Sequence, residues 1–254
     1  MNVVAISPDI PGILKHFAER VGITYPLLSD SDSRIIKSFG ILNTTIPENQ
    51  MFYGIPFPGT YIVDAQGKIL SKYFEEEYTQ RYTADTILVK EFGSEGDREI
   101  EINTEHMKIK AFLSEYAVVP GNRFSMVLDI EIPENMHLYA TGAEGYIPVS
   151  LKIDPSPDLA IQDPVYPQPE IMYLDVIKER VPVYKGRVRI IRDVILSPQS
   201  RATDLVLSGS LHYQACDESF CYLPAQVPLK FELEVIPHDF ERVPASVRNR
   251  SAGP

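Results

Sequence analysis

Tryptophan is absent from this 254-residue chain, and cysteine is limited to Cys216 and Cys221. The shortage of cysteine is the sharper constraint. Thiolate chemistry must run through that pair, because the thiolate is the sulfur nucleophile and no other side chain supplies one. Residues 1–92 contain no cysteine, so a cysteine-dependent activity cannot reside there. Long apolar runs are also lacking. None approaches the roughly 18 residues that predict a membrane span, so no direct membrane insertion is expected. Met1-Asn2-Val3-Val4-Ala5-Ile6-Ser7-Pro8 has neither a basic leader nor a signal-like apolar core, and no export signal is expected from it. Clusters of Lys and Arg are missing and the net charge is −11, which speaks against a nucleic-acid partner.

What is present divides in two. Val3 to Ser7 is a short apolar run, expected as a buried parallel strand. An amphipathic helix follows from Pro11 to Val21, with Ile13, Leu14, Phe17, Ala18 and Val21 on one face and Gly22 ending it. A short helix carries Ile35, Ile36 and Phe39 and stops at Gly40. After a long loop from Asn43 to Gly59, Thr60–Val63 and Lys68–Tyr73 form a hairpin through Asp64-Ala65-Gln66-Gly67. A last helix spans Thr83 to Phe92, with Thr83 as its N-cap. The polar stretch Gly93–Asp97 reads as a linker. Beyond it the apolar period changes from 3.6 to 2. Strands are expected over 98–110, 123–132, 149–153, 186–196, 205–213 and 227–235, and many short strands imply a sandwich. Proline is abundant, at 21 residues, and is denser between Pro133 and Pro228, which favours loops and edge strands there. Residues 238–254 form a polar tail, expected to be loose.

The cysteines lie in Tyr213-Gln214-Ala215-Cys216-Asp217-Glu218-Ser219-Phe220-Cys221-Tyr222-Leu223-Pro224, at a strand end and in the turn after it. Cα atoms at that spacing easily come within the roughly 4.4–6.8 Å of a disulfide. Such a pair is a local staple, a redox switch, or, with His212 and His238, part of a metal site. A staple closing so short a loop adds only about 2 kcal/mol in the chain-entropy model. Asp217 and Glu218 raise a thiol pKa rather than lower it. The metal set is poorly supported, because zinc wants four ligands and His238 lies in the tail. His137 is either a proton carrier or an ordinary hydrogen-bonded histidine.

Residues 1–92 resemble the later part of a redoxin or peroxiredoxin (AhpC/TSA), an α/β thioredoxin-like domain. The resemblance rests on Val3-Val4-Ala5-Ile6-Ser7-Pro8-Asp9, Gly22-Ile23-Thr24-Tyr25-Pro26-Leu27-Leu28-Ser29-Asp30, Phe39-Gly40-Ile41 and Pro56-Phe57-Pro58-Gly59-Thr60-Tyr61-Ile62-Val63. It implies that Pro58 is a cis-proline facing the active-site thiol. In the family that thiol sits on a helix after an earlier strand, both of which would precede Met1. The domain is therefore expected to be incomplete, inert as a peroxidase, and prone to self-association through its open edge.

Residues 98–237 resemble the N-terminal, immunoglobulin-like domain of DsbD-family thiol:disulfide interchange proteins. The matching residues are His137-Leu138-Tyr139, Gly145-Tyr146-Ile147-Pro148, Val183-Tyr184-Lys185-Gly186 and the two cysteine segments. The resemblance implies thiol–disulfide exchange through Cys216 and Cys221, with Cys221 forming the mixed disulfide and Cys216 resolving it. It implies an aromatic cap over the sulfurs, with Tyr184 and Tyr139 as the cap residues. It also implies a thioredoxin-like or membrane-embedded thiol–disulfide partner, no cofactor beyond the redox-active disulfide, no metal, and an extracytoplasmic setting. The absence of a recognisable signal keeps a cytoplasmic one open.

Overall fold

The computed structural model describes residues 2–50, 52–75, 77, 79–174, 178–241 and 243–248. The chain separates into two compact units, one of residues 1–78 with 239–254 and one of residues 79–238.

The first unit contains β1 (Ala5–Ser7), α1 (Pro11–Val21), β2 (Leu27–Ser29), α2 (Arg34–Ser38), β3 (Gly59–Val63) and β4 (Ile69–Phe74). Pro11 opens α1, where its missing N–H costs nothing, and Gly22 closes it in the left-handed region at φ 73°. β1 pairs in parallel with β2, and β3 with β4 in an antiparallel hairpin, as two separate two-stranded sheets. The hairpin turns as the sequence dictates, because Asp64 Oδ1 accepts the N–H groups of Gln66 and Lys68, each at 2.9 Å. The expectation of a buried β1 is corrected, since Val4 and Ile6 are exposed.

The second unit contains β5 (Arg81–Tyr82), α3 (Ala84–Phe92), β6 (Glu99–Asn103), β7 (Lys108–Leu113), β8 (Ala117–Val118), β9 (Asn122–Glu131), β10 (His137–Tyr139), β11 (Ser150–Ile153), β12 (Leu159–Val165), β13 (Glu170–Leu174), β14 (Glu179–Tyr184), β15 (Arg187–Leu196), β16 (Asp204–Tyr213), β17 (Ala215–Cys216) and β18 (Ala225–Val235). One sheet runs β12-β15-β9-β7-β6, and a second runs β11-β16-β18-β8. Their inner faces bury Phe124, Met126, Leu128, Ile190, Leu207, Leu211, Phe231 and Leu233 in one core. The third sheet, β13-β14-β10-β17, carries the cysteines.

Three expectations are revised. The expected strand over 98–110 is a hairpin of β6 and β7. The helix expected with the N-terminal domain, α3, belongs to the sandwich unit, so the compact units divide before the expected linker. The reason lies in β9 and β7, whose outward-facing Val127 and Phe112 are apolar and need a cover that Val89 of α3 provides. The expectation of a loose tail is revised for its described part, residues 242 and 249–254 lying outside the described residues. Arg20 pairs with Asp239 at 2.6 Å and Glu241 at 3.2 Å, and the tail forms a one-turn helix, α4 (Ala245–Arg248).

Candidate redox site

The site is assembled by three short strands. β10 lies between β14 and β17, with Leu138 opposite both Tyr184 and Ala215, Tyr139 opposite Val183, and His137 opposite Cys216. Side chains alternate between the faces of a sheet, so this register sorts them. Leu138, Tyr184 and Ala215 point into the sandwich core. Cys216 faces the other way, into a smaller buried cluster with Tyr139, Ala143, Val181 and Val183.

Cys216 and Cys221 are joined in a disulfide with Cα atoms 4.0 Å apart. Asp217 builds the turn between them. Its carboxylate accepts the N–H groups of Ser219 and Phe220, both at 2.7 Å, and the Tyr222 hydroxyl at 3.0 Å. These backbone bonds hold the Asp217 carboxyl below the usual carboxylate range. Two backbone bonds, Asp217 N–H to Phe220 O and Tyr222 N–H to Ala215 O, close the turn.

The two sulfurs have unlike surroundings. Cys216 is 1% exposed. Cys221 is exposed, between Phe220 at 72% and Tyr222, with Leu223 beyond at 86%. Tyr139 Oη lies 3.3 Å from Cys221 Sγ, and the Tyr139 ring stacks on Tyr146 at 4.2 Å between centroids. Burial raises the Tyr139 pKa, so the phenol keeps its proton and remains a donor. Tyr146 in turn donates to Glu179 of β14 at 3.1 Å.

Of the residues expected at the site, the structure brings together Cys216, Cys221 and Tyr139. Tyr184 is corrected. Its ring lies on the core face, and its hydroxyl donates to the Pro167 carbonyl at 3.2 Å. The register puts it one position out of phase with Cys216. The partner that Tyr139 stacks on is Tyr146, a residue sequence reasoning quoted without assigning it a role. Pro58 is corrected too. No described peptide bond is cis, so Phe57–Pro58 is trans, the form an X–Pro bond prefers. It belongs to the first unit, which contains no cysteine. His212 spends its Nε2 on Ser210 Oγ at 2.9 Å. Among the described residues no set of three or more His, Cys, Asp and Glu surrounds a common metal position.

Two sequence models of known families match the chain. Residues 1–72 match the AhpC/TSA family, and residues 110–232 match the N-terminal domain of the thiol:disulfide interchange protein DsbD. A protein named as a peroxiredoxin from Mycobacterium tuberculosis is 42% identical over 74 residues, covering 28% of this chain and 44% of its own length. Peroxiredoxin Bcp from Escherichia coli is 33% identical over 73 residues, covering 27% and 44%. The chain thus spans less than half the length of these curated relatives. Among solved structures, the reduced DsbD N-terminal domain of Neisseria meningitidis superimposes with a TM-score of 0.32 at 18% identity, over 43% of this chain and 78% of that one. The N-terminal periplasmic domain of ScsB from Proteus mirabilis gives 0.37 at 14% identity, over 53% and 49%. The family models carry the assignment: the chain joins a thioredoxin-like AhpC/TSA-type segment to an immunoglobulin-like sandwich of the DsbD N-terminal type.

Proposed function

We propose that this protein carries out thiol–disulfide exchange through Cys216 and Cys221, in an extracytoplasmic compartment, with a thioredoxin-like protein or a membrane-embedded thiol–disulfide domain as partner. No cofactor beyond the disulfide is needed. The observation that carries the reading is the asymmetry of the pair, Cys216 buried and Cys221 an exposed residue flanked in the chain by exposed apolar side chains. A partner thiolate attacks Cys221 Sγ, the bond to Cys216 breaks, and its electron pair passes to Cys216 Sγ, which takes up a proton. A second partner thiolate then attacks the partner sulfur of the mixed disulfide and frees Cys221. Phe220 and Leu223 give the partner an apolar landing around the attacked sulfur. Among the described residues no helix is long and apolar enough to cross a membrane. The AhpC/TSA-type segment links this exchange to peroxide defence.

Redox titration against a glutathione or dithiothreitol buffer tests the proposal. A potential near −200 mV supports exchange, and one below about −300 mV makes the bridge a structural staple. Cysteine-to-serine trapping adds the direction. Cys216→Ser should accumulate a mixed disulfide with a thioredoxin-like protein through Cys221, and Cys221→Ser should not.

A further inference from the structure

His137 stands directly across from Cys216 in the β10–β17 pair. Residues opposed in an antiparallel pair share a face, with Cβ atoms about 5 Å apart. The imidazole is therefore the cross-strand neighbour of the buried sulfur. Its ring is buried and meets Tyr139 edge-on, with centroids 5.6 Å apart. Its Nε2 is buried and has no hydrogen-bond partner among the described residues. A buried ring nitrogen left unpaired costs about 1–3 kcal/mol, so an apolar residue would serve packing better here.

We propose that His137 is the proton acceptor for Cys216 during disulfide closure. The inference rests on the exchange reading above and adds the group that moves the proton. In the reduced protein, the Cys221 thiolate attacks a partner disulfide, one partner sulfur leaves, and a mixed disulfide forms at Cys221. Cys216 is then a buried thiol, and burial in apolar surroundings resists its ionisation. His137 takes the Sγ proton, the Cys216 electron pair attacks Cys221 Sγ, and the second partner sulfur leaves as a thiolate. The products are the protein disulfide, the partner dithiol and an imidazolium that returns its proton to solvent. Reversed, the same imidazolium protonates Cys216 as it leaves. The groups facing the imidazole are Cys216 and Asp217 from the β17 side, Lys185 from the β14 side and Tyr139 on its own strand. Burial lowers the His137 pKa, Lys185 lowers it further, and Asp217 works against both. The resting ring is thus neutral near pH 7, as an acceptor must be.

The test uses the reduced full-length chain and one equivalent of the chromogenic aryl disulfide dithionitrobenzoate. The first aryl thiolate released reports attack by Cys221, and the second reports closure by Cys216. His137→Gln and His137→Phe should slow the second phase about a hundredfold near neutral pH and leave the first unchanged. In the wild type the second phase should rise with pH only on the acid side of the ordinary imidazole value and level off before neutral pH, because the His137 pKa is lowered. In the variants it should rise only toward the thiol range near 8.5, where solvent base takes over. A second phase with unchanged rate and pH profile in folded variants overturns the role of His137. If both variants unfold, the wild-type profile decides, and a second phase with no acid-side rise that levels off before neutral pH overturns it. If the wild type releases no aryl thiolate at all, the exchange reading itself fails.

Discussion

Tyr139 and Tyr184 show what one residue of register decides. Both are aromatic, both are buried and both flank the same strand pair, yet only Tyr139 reaches Cys221. Tyr184 sits opposite Leu138 and shares its face, which is the core face. A sequence gives the aromatic character of a position but not its phase against a strand pairing made with a distant part of the chain. The cysteines were legible because their chemistry is local: a short loop, an Asp that accepts two backbone N–H groups, and a strand on either side. Tyr139 came only from resemblance, and Tyr146 carried no local signal. The difference is measurable. Tyr139→Ala should speed reduction of the disulfide by dithiothreitol, because it removes the ring packed beside Cys221. Tyr184→Ala should leave that rate unchanged and lower stability by about 3 kcal/mol in a denaturant titration, as loss of a large core side chain does.

At the scale of elements, α3 is the piece the sequence placed on the wrong side. Its period and its Thr83 cap are local and were read correctly; what it packs on is tertiary. In the proline-rich stretch edge strands were expected without bounds, and β12, β13 and β14 were not delimited for the opposite reason. β12 carries Pro164 at a register shift on a sheet edge, and β14 carries Pro182, so the usual breaker signal hides real strands. The docking of α3 rests on a buried charge cluster. Asp193 accepts from Lys90 Nζ and from Ser125 Oγ, both at 2.7 Å, with Arg123 at 3.5 Å. Asp193→Ala should cost about 3 kcal/mol in thermal or denaturant unfolding, because buried cations lose their counter-charge. Glu115 adds a pH dependence near the same helix. Burial pushes its carboxyl from 4.5 up to about 7, helped by Asp85 and opposed by Thr83. Between those values the folded state holds more protons than the unfolded one, so stability falls as pH rises through the window. Glu115→Gln should be more stable than wild type above pH 7 by about 2 kcal/mol after screening, and equal to it near pH 4. Melting curves across that range check the sign.

For the molecule as a whole, the two units contrast in how much they bury. The sandwich has a continuous core across two sheets. The AhpC/TSA-type unit has two separate two-stranded sheets and leaves Val4, Leu28, Phe52 and Leu70 exposed. Two-stranded sheets are marginal in water, and β1 has β2 as its one strand neighbour among the described residues. An open, apolar strand edge recruits other chains. Two consequences follow from one cause. Amides of residues 5–7 should exchange hydrogen much faster than those of β9 and β15, and the protein should self-associate with rising concentration in sedimentation velocity. Deleting residues 1–78 should abolish that association and leave Cys216–Cys221 exchange intact. The same unit contains no cysteine, so peroxide consumption by the full chain should fall to the buffer rate when Cys216 and Cys221 are both replaced by serine. A monomer at all concentrations with protected residues 5–7, or peroxide turnover surviving the double replacement, would show that this unit is self-sufficient in fold or in chemistry.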